Sequence, residues 1–171
     1  HLFSEKDAGY YAGLSLVGRV VFYVTAPVTT VMFPIIVNRF KNSQPYKKIL
    51  YAAIGITTGI SLFVTGFYFV FPQFTILFFL KKAEYLAVSN NLGMFGIFIT
   101  LYSLISVLSY YFLSIKQTKI SFLLVGGVVL QTILIYLFHS SFNEVINISI
   151  FVSALVLTGL IAFYKILSSR K

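Results

Sequence analysis

The chain has 171 residues, 58% of them hydrophobic, 18% aromatic and only 10% charged, with 13 lysines and arginines against 4 aspartates and glutamates. At a mean hydropathy of +0.93 it has too little polar surface to cover a soluble domain of this size, so it reads as an all-α membrane helix bundle, a single membrane domain over residues 1–171. Cysteine is absent, which removes disulfides, thiol chemistry and cysteine-based metal sites. His1, His139 and the scattered carboxylates Glu5, Asp7, Glu84 and Glu144 offer no zinc set, catalytic triad or carboxylate pair, so neither an enzyme nor a metal or cofactor is expected. The net charge of +9 does not indicate nucleic acid, because the basic residues cluster at the ends of apolar runs and not on one surface.

The polar opening HLFSEKD is not a signal peptide and predicts a piece that begins partway through a larger protein. Five apolar runs then reach the length of about 20 residues that a bilayer requires, near 11–37, 49–71, 88–115, 120–138 and 145–164. The first carries the one intramembrane charge, Arg19. At about 100° per residue, Tyr11, Ser15, Arg19, Tyr23 and Pro27 follow at i+4, with Ala26, Thr30 and Pro34 in the same arc. Val17, Val21, Val24, Val28, Val31, Met32 and Ile35 form the opposite arc, a lipid or packing surface. An arginine near mid-membrane costs about 2.5–3.5 kcal/mol on the lenient insertion scale, so it is expected to face protein or a wet cavity. Pro27 and Pro34 each remove a backbone donor and predict kinks.

Arg39, Lys41, Lys47 and Lys48 follow in the first loop, Lys116 and Lys119 link the third and fourth runs, and Lys165, Arg170 and Lys171 end the chain. If the runs alternate, those nine lie on one side against Lys6, Lys81 and Lys82 on the other, which places the C-terminus in the cytoplasm. In the second run Gly55, Gly59 and Gly66 share a face, the close-packing pattern of membrane helices. The segment from Phe71-Pro72 to Tyr85 is aromatic and partly charged and is expected at the outer interface. Ser89, Gly93, Gly96, Thr100 and Ser103 make a second small-residue stripe that should face neighbouring helices. Gln131 is read first as an interhelical hydrogen-bond donor, with cavity contact as the alternative, the run 145–164 as a packing helix with Ser149 and Ser153 one turn apart, and His139 as a solvated loop-edge residue.

The order Ala8-Gly9-Tyr10-Tyr11-Ala12, an arginine-bearing helix closed by Phe33-Pro34, a basic loop, an apolar helix ending before LFFLKKAEYLAV and a small-residue helix after it resembles the C-terminal lobe of Wzx-type polysaccharide flippases. These belong to the multidrug/oligosaccharidyl-lipid/polysaccharide exporter superfamily. The resemblance spans nearly the whole chain and implies the eighth to twelfth helices of a two-lobed transporter in a bacterial or archaeal cytoplasmic membrane, with a missing N-terminal lobe as partner. It implies passage of an undecaprenyl-diphosphate-linked oligosaccharide by rocking of two lobes, among membrane lipids and without a cofactor. Arg19 would be the cationic cavity residue, with Ser15, Tyr23, Thr30 and Tyr11 on the same wall, since arginine holds phosphate oxygens in a forked geometry. Outward snorkelling of Arg19, or a carboxylate partner on the missing part, is the structural alternative. A cation-coupled multidrug antiporter is the runner-up, weakened because none of the five runs contains Asp or Glu. A non-transporting membrane assembly protein would leave Arg19 without a role.

Overall fold

The computed structural model describes residues 5–138 and 141–169, for residues 5–8 the backbone alone; His1, His139, Arg170 and Lys171 lie outside the described residues. In chain order the helices are α1 (Glu5–Gly18), α2 (Val20–Lys41), α3 (Lys47–Val70), α4 (Pro72–Leu80), a 3₁₀ stretch Ala83–Asn91, α5 (Leu92–Ser114), α6 (Ile120–Leu137) and α7 (Phe142–Ser169). No strand occurs among the described residues. Five helical stretches are long and apolar enough to cross a membrane: Val20–Lys41, Lys47–Val70, Ala83–Ser114, Ile120–Leu137 and Phe142–Ser169. This is the architecture of a multi-pass membrane protein.

Two of these stretches differ from the sequence expectation. The run expected over 11–37 is divided at Arg19, between α1 and α2, while α2 continues through both Pro27 and Pro34. The reason lies on another helix. The Tyr68 hydroxyl of α3 donates to the Val17 carbonyl at 2.8 Å, and a side chain inserted at a ladder carbonyl is a recognised cause of a helix break. The third run begins as a 3₁₀ stretch, with the regular helix starting at Leu92, after Ser89, Asn90 and Asn91, whose short polar side chains compete with the ladder. The segment from 71 to 85 forms α4, with Pro72 preset at its first turn and Lys81 ending it in the left-handed region (φ 53°).

α5 is the central helix. It touches α1, α2, α3 and α7, whereas α6 packs chiefly on α7. Along α5, Gly93, Gly96, Thr100 and Ser103 are all buried. Thr100 and Ser103 donate to the Gly96 and Ile99 carbonyls at 2.9 Å each. Their oxygens then accept from Thr65 of α3 at 3.0 Å and Thr25 of α2 at 3.2 Å. This hydroxyl belt separates two apolar clusters. One, around Ile36, Leu50, Leu108, Phe112 and Leu160, lies toward the basic loops; the other, around Val17, Val21, Tyr68, Leu92 and Phe95, lies toward α4.

The glycine face of α3 carries no packing among the described residues. Gly55, Gly59 and Gly66 are exposed, and a methyl group at any of them would meet nothing within 4 Å. α3 instead packs through Leu50, Ala53, Thr57, Ser61, Thr65 and Tyr68. Gly93 and Gly96 do lie at close approaches: a Cβ on Gly93 would come within 2.6 Å of the Phe69 ring, and one on Gly96 within 3.0 Å of Thr65. The valine arc of the first run also divides, with Val17 of α1 and Val21 and Met32 of α2 buried and Val24, Val31 and Ile35 exposed.

Gly18 is the tightest of these positions, because a Cβ there would collide with the ring of Phe95, itself only 2% exposed. Gly18→Leu is expected to lower stability in detergent by about 1–3 kcal/mol through overpacking. Gly59→Ala should leave stability unchanged or raise it by up to about 1 kcal/mol. Thermal melts of the two variants check this; a Gly59→Ala loss as large as that of Gly18→Leu would show the glycine face to be packed in the intact protein.

Candidate functional site

Arg19 has helical backbone angles (φ −65°, ψ −11°), with its N–H bonded to the Ser15 carbonyl at 3.0 Å and its carbonyl accepting from Tyr23 at 3.1 Å. The helical phase is therefore kept across the interruption. That phase is what lets residues four apart on either side of Arg19 share one wall.

They share it on a groove of about 420 Å³ between α1, α2, α5, α6 and α7. Tyr11, Ser15, Arg19, Phe22 and Tyr23 form one side; Phe95, Phe98, Ile99 and Tyr102 of α5 form the floor; Gln131 and Ile135 of α6 and Ser149 of α7 close the other side. Ring packing sets the aromatic lining, with Phe22 and Tyr102 at 5.4 Å, Tyr11 and Phe95 at 6.2 Å and Phe95 and Phe98 at 5.6 Å between centroids. Gln131 Nε2 donates to Ser149 Oγ at 3.0 Å, and Ser149 donates onward to the Val145 carbonyl at 2.7 Å. Gln131 is thus both an interhelical donor and a groove residue.

Of the residues singled out in the sequence, Tyr11, Ser15, Arg19 and Tyr23 come together here, and Thr30 does not. Thr30 is exposed and its hydroxyl donates to the Ala26 carbonyl at 3.2 Å. Two helical turns separate Thr30 from Tyr23 along α2, which carries it past the groove end. Tyr102, Phe22 and Ser149 line the groove as well, although the sequence reads Ser149 only as part of a packing helix and marks neither of the others as a groove residue.

Arg19 stands away from the centre of the bundle. Its groove partners on α5, Phe95 to Tyr102, belong to the first half of that helix, and Ser149 is the eighth residue of α7. At about 1.5 Å per residue, the 22 residues of α2 place Arg19 roughly 33 Å from the Lys41 end. The guanidinium therefore lies in the half of the bundle opposite the seven described cations Arg39, Lys41, Lys47, Lys48, Lys116, Lys119 and Lys165. The one ion pair among the described residues joins Lys82 to Glu84 at 3.6 Å, and Arg19 has no carboxylate partner among them. A second hollow of about 280 Å³, lined by Ala12, Leu16 and again Ser15, Arg19 and Tyr23, borders the first. Arg19 thus presents a forked donor, with no carboxylate partner among the described residues, to open space flanked by hydroxyls and aromatic rings, a set able to hold phosphate oxygens and to stack on sugar faces.

A hydrated groove predicts reactivity. Single cysteines introduced by Arg19→Cys and Tyr23→Cys are expected to react with a charged, membrane-impermeant thiol reagent, while Thr25→Cys and Ser103→Cys, buried in the hydroxyl belt, are not. Equal rates at all four positions would contradict the groove. No family model matches the chain, and no curated protein or solved structure matches it.

Proposed function

We propose that this chain is part of a membrane flippase that carries undecaprenyl-diphosphate-linked oligosaccharide across the cytoplasmic membrane for surface polysaccharide assembly. The observation that supports it is Arg19, a guanidinium with no carboxylate partner among the described residues, set in a groove with Ser15, Tyr11, Tyr23 and Gln131. A diphosphate drawn out of water needs a compensating cation, and a forked donor in a low-dielectric groove supplies more than the same group in bulk water. The aromatic floor suits the apolar faces of sugar rings, and the hydroxyls and the Gln131 amide suit their edges. In this reading a second lobe of the same carrier covers the open face of the groove.

The basic end faces the cytoplasm in this reading, following the positive-inside rule. Arg19 then belongs to the outer half of the membrane, and holds the headgroup late in its crossing. A charge nearer one interface also costs less than one at mid-membrane, because hydration and snorkelling become available.

Replacement of Arg19 in the full-length protein tests the proposal in a strain lacking its own flippase. Arg19→Ala and Arg19→Gln should lower surface polysaccharide roughly 10- to 100-fold at normal protein level, as loss of a charge-assisted contact of about 1.5–3 kcal/mol implies. Arg19→Lys should retain part of the export, keeping charge while losing the fork. Full export by Arg19→Ala would remove the guanidinium from the mechanism.

A further inference from the structure

A second site lies at the other end of the bundle and does not rest on the transport reading. α3 and α7 both pack on α5 and leave a slot of about 220 Å³ between them, floored by Leu104 and Leu108 and walled by Ile54, Leu157 and Ile161. Its lining is almost wholly apolar. At the basic end the slot is closed by a hydrogen bond between the Tyr51 and Tyr164 hydroxyls at 2.9 Å. Beyond this lid Lys47 Nζ donates to Ser168 Oγ at 2.9 Å, which holds an ammonium across the mouth. Lys48 lies one turn from Tyr51 on the same helix.

An aliphatic slot ending under two phenols and the Lys47–Lys48 pair matches one kind of molecule in charge and polarity: a chain-bearing lipid with an anionic headgroup. We infer that the α3–α7 slot binds an anionic phospholipid of the leaflet at the basic end, with one acyl chain between Ile54 and Ile161 and its phosphate on Lys47 and Lys48. Three features act in sequence along this path. The walls exclude water from the chain, the Tyr51–Tyr164 hydrogen bond parts as the chain enters so that both hydroxyls turn to ester or phosphate oxygens at the interface, and the lysines supply charge where the headgroup emerges. Lys116 and Lys119 lie at the same end of the bundle, on the α5–α6 link, and do not line the slot.

The test uses the purified full-length protein in detergent, titrated with phosphatidylglycerol and with phosphatidylcholine of identical chains, bound lipid being counted by native mass spectrometry. Phosphatidylglycerol should be retained at least roughly five-fold more tightly, the effect of about one interfacial lysine. Glycerol phosphate, which has the headgroup and no chain, should not compete. Lys47→Gln with Lys48→Gln should abolish the preference, Ile161→Trp should lower retention of both lipids by filling the slot, and Lys116→Gln with Lys119→Gln should change neither. Equal retention of the two lipids overturns the proposal, as do competition by glycerol phosphate, or an Ile161→Trp variant that melts normally and binds as before. Should Ile161→Trp not fold, the two surface lysine pairs decide: equal losses from both would reduce the site to general surface charge and overturn it.

Discussion

The structure depends on how closely other helices can approach α5. Inside a bilayer the lipid chains are as apolar as leucine, so helices do not associate by burying hydrophobic surface from water; packing density and interhelical hydrogen bonds have to hold them. α5 meets this with small residues on one flank and hydroxyls beside them. Gly93 and Gly96 admit Phe69 and Thr65, and Thr100 and Ser103 accept hydrogen bonds from α3 and α2. Each such bond averages only about 0.6 kcal/mol in membrane proteins. Their effect is on register more than on stability: Thr25 opposite Ser103 and Thr65 opposite Thr100 fix how far α2 and α3 slide along α5.

That register sets the position of the functional residues. With Thr25 held against Ser103, the turn of helix before it brings Arg19 and Phe22 level with Phe98, Ile99 and Tyr102. Tyr68, held one turn beyond Thr65, reaches Val17 and marks where the helix path is interrupted. The groove is thus a consequence of the hydroxyl belt and not of residues that line it. Thr57 and Ser61 continue the same stripe on α3, fully buried, with no hydrogen-bond partner for either hydroxyl oxygen among the described residues. They mark where the belt gives way to the apolar cluster toward the basic loops.

Much of this was legible in the residues. Five apolar runs, the basic loops and the i+4 succession Tyr11, Ser15, Arg19, Tyr23 depend only on local periodicity, which the structure keeps because the backbone stays helical through Arg19. The packing face of α3 was not legible. In a membrane, the lipid-facing and protein-facing sides of a helix are both apolar, so hydropathy does not separate them, and the glycines drew attention from the Thr57, Ser61 and Thr65 stripe that is buried. The break at Arg19 was equally hidden, since it coincides with a contact from Tyr68, 51 residues away in the chain. Nor does any local pattern bring Tyr102 and Ser149 to Arg19; only the packing of α5 and α7 does so.

The walls of the groove differ in how firmly they are held. The α1–α2 side and the α5 floor belong to the packed interior, through Leu14, Val17 and Val21 against Leu92, Phe95 and Ile99. The α6 side is attached more lightly. Only Ile120 and Gly127 of that helix are buried, and it joins α7 where Val156 meets Gly127, where Leu123 meets Gly159 and through the Gln131–Ser149 hydrogen bond. Phe122 and Val128 are 84% and 65% exposed, so among the described residues the outer face of α6 carries no protein contact comparable to that of α5. A local displacement of α6 would therefore cost few buried contacts, while one of α2 would disrupt an apolar cluster and the belt together. The contact that combines polarity with position on this lighter wall is Gln131, which places the one strongly polar side chain of α6 at both the helix interface and the groove.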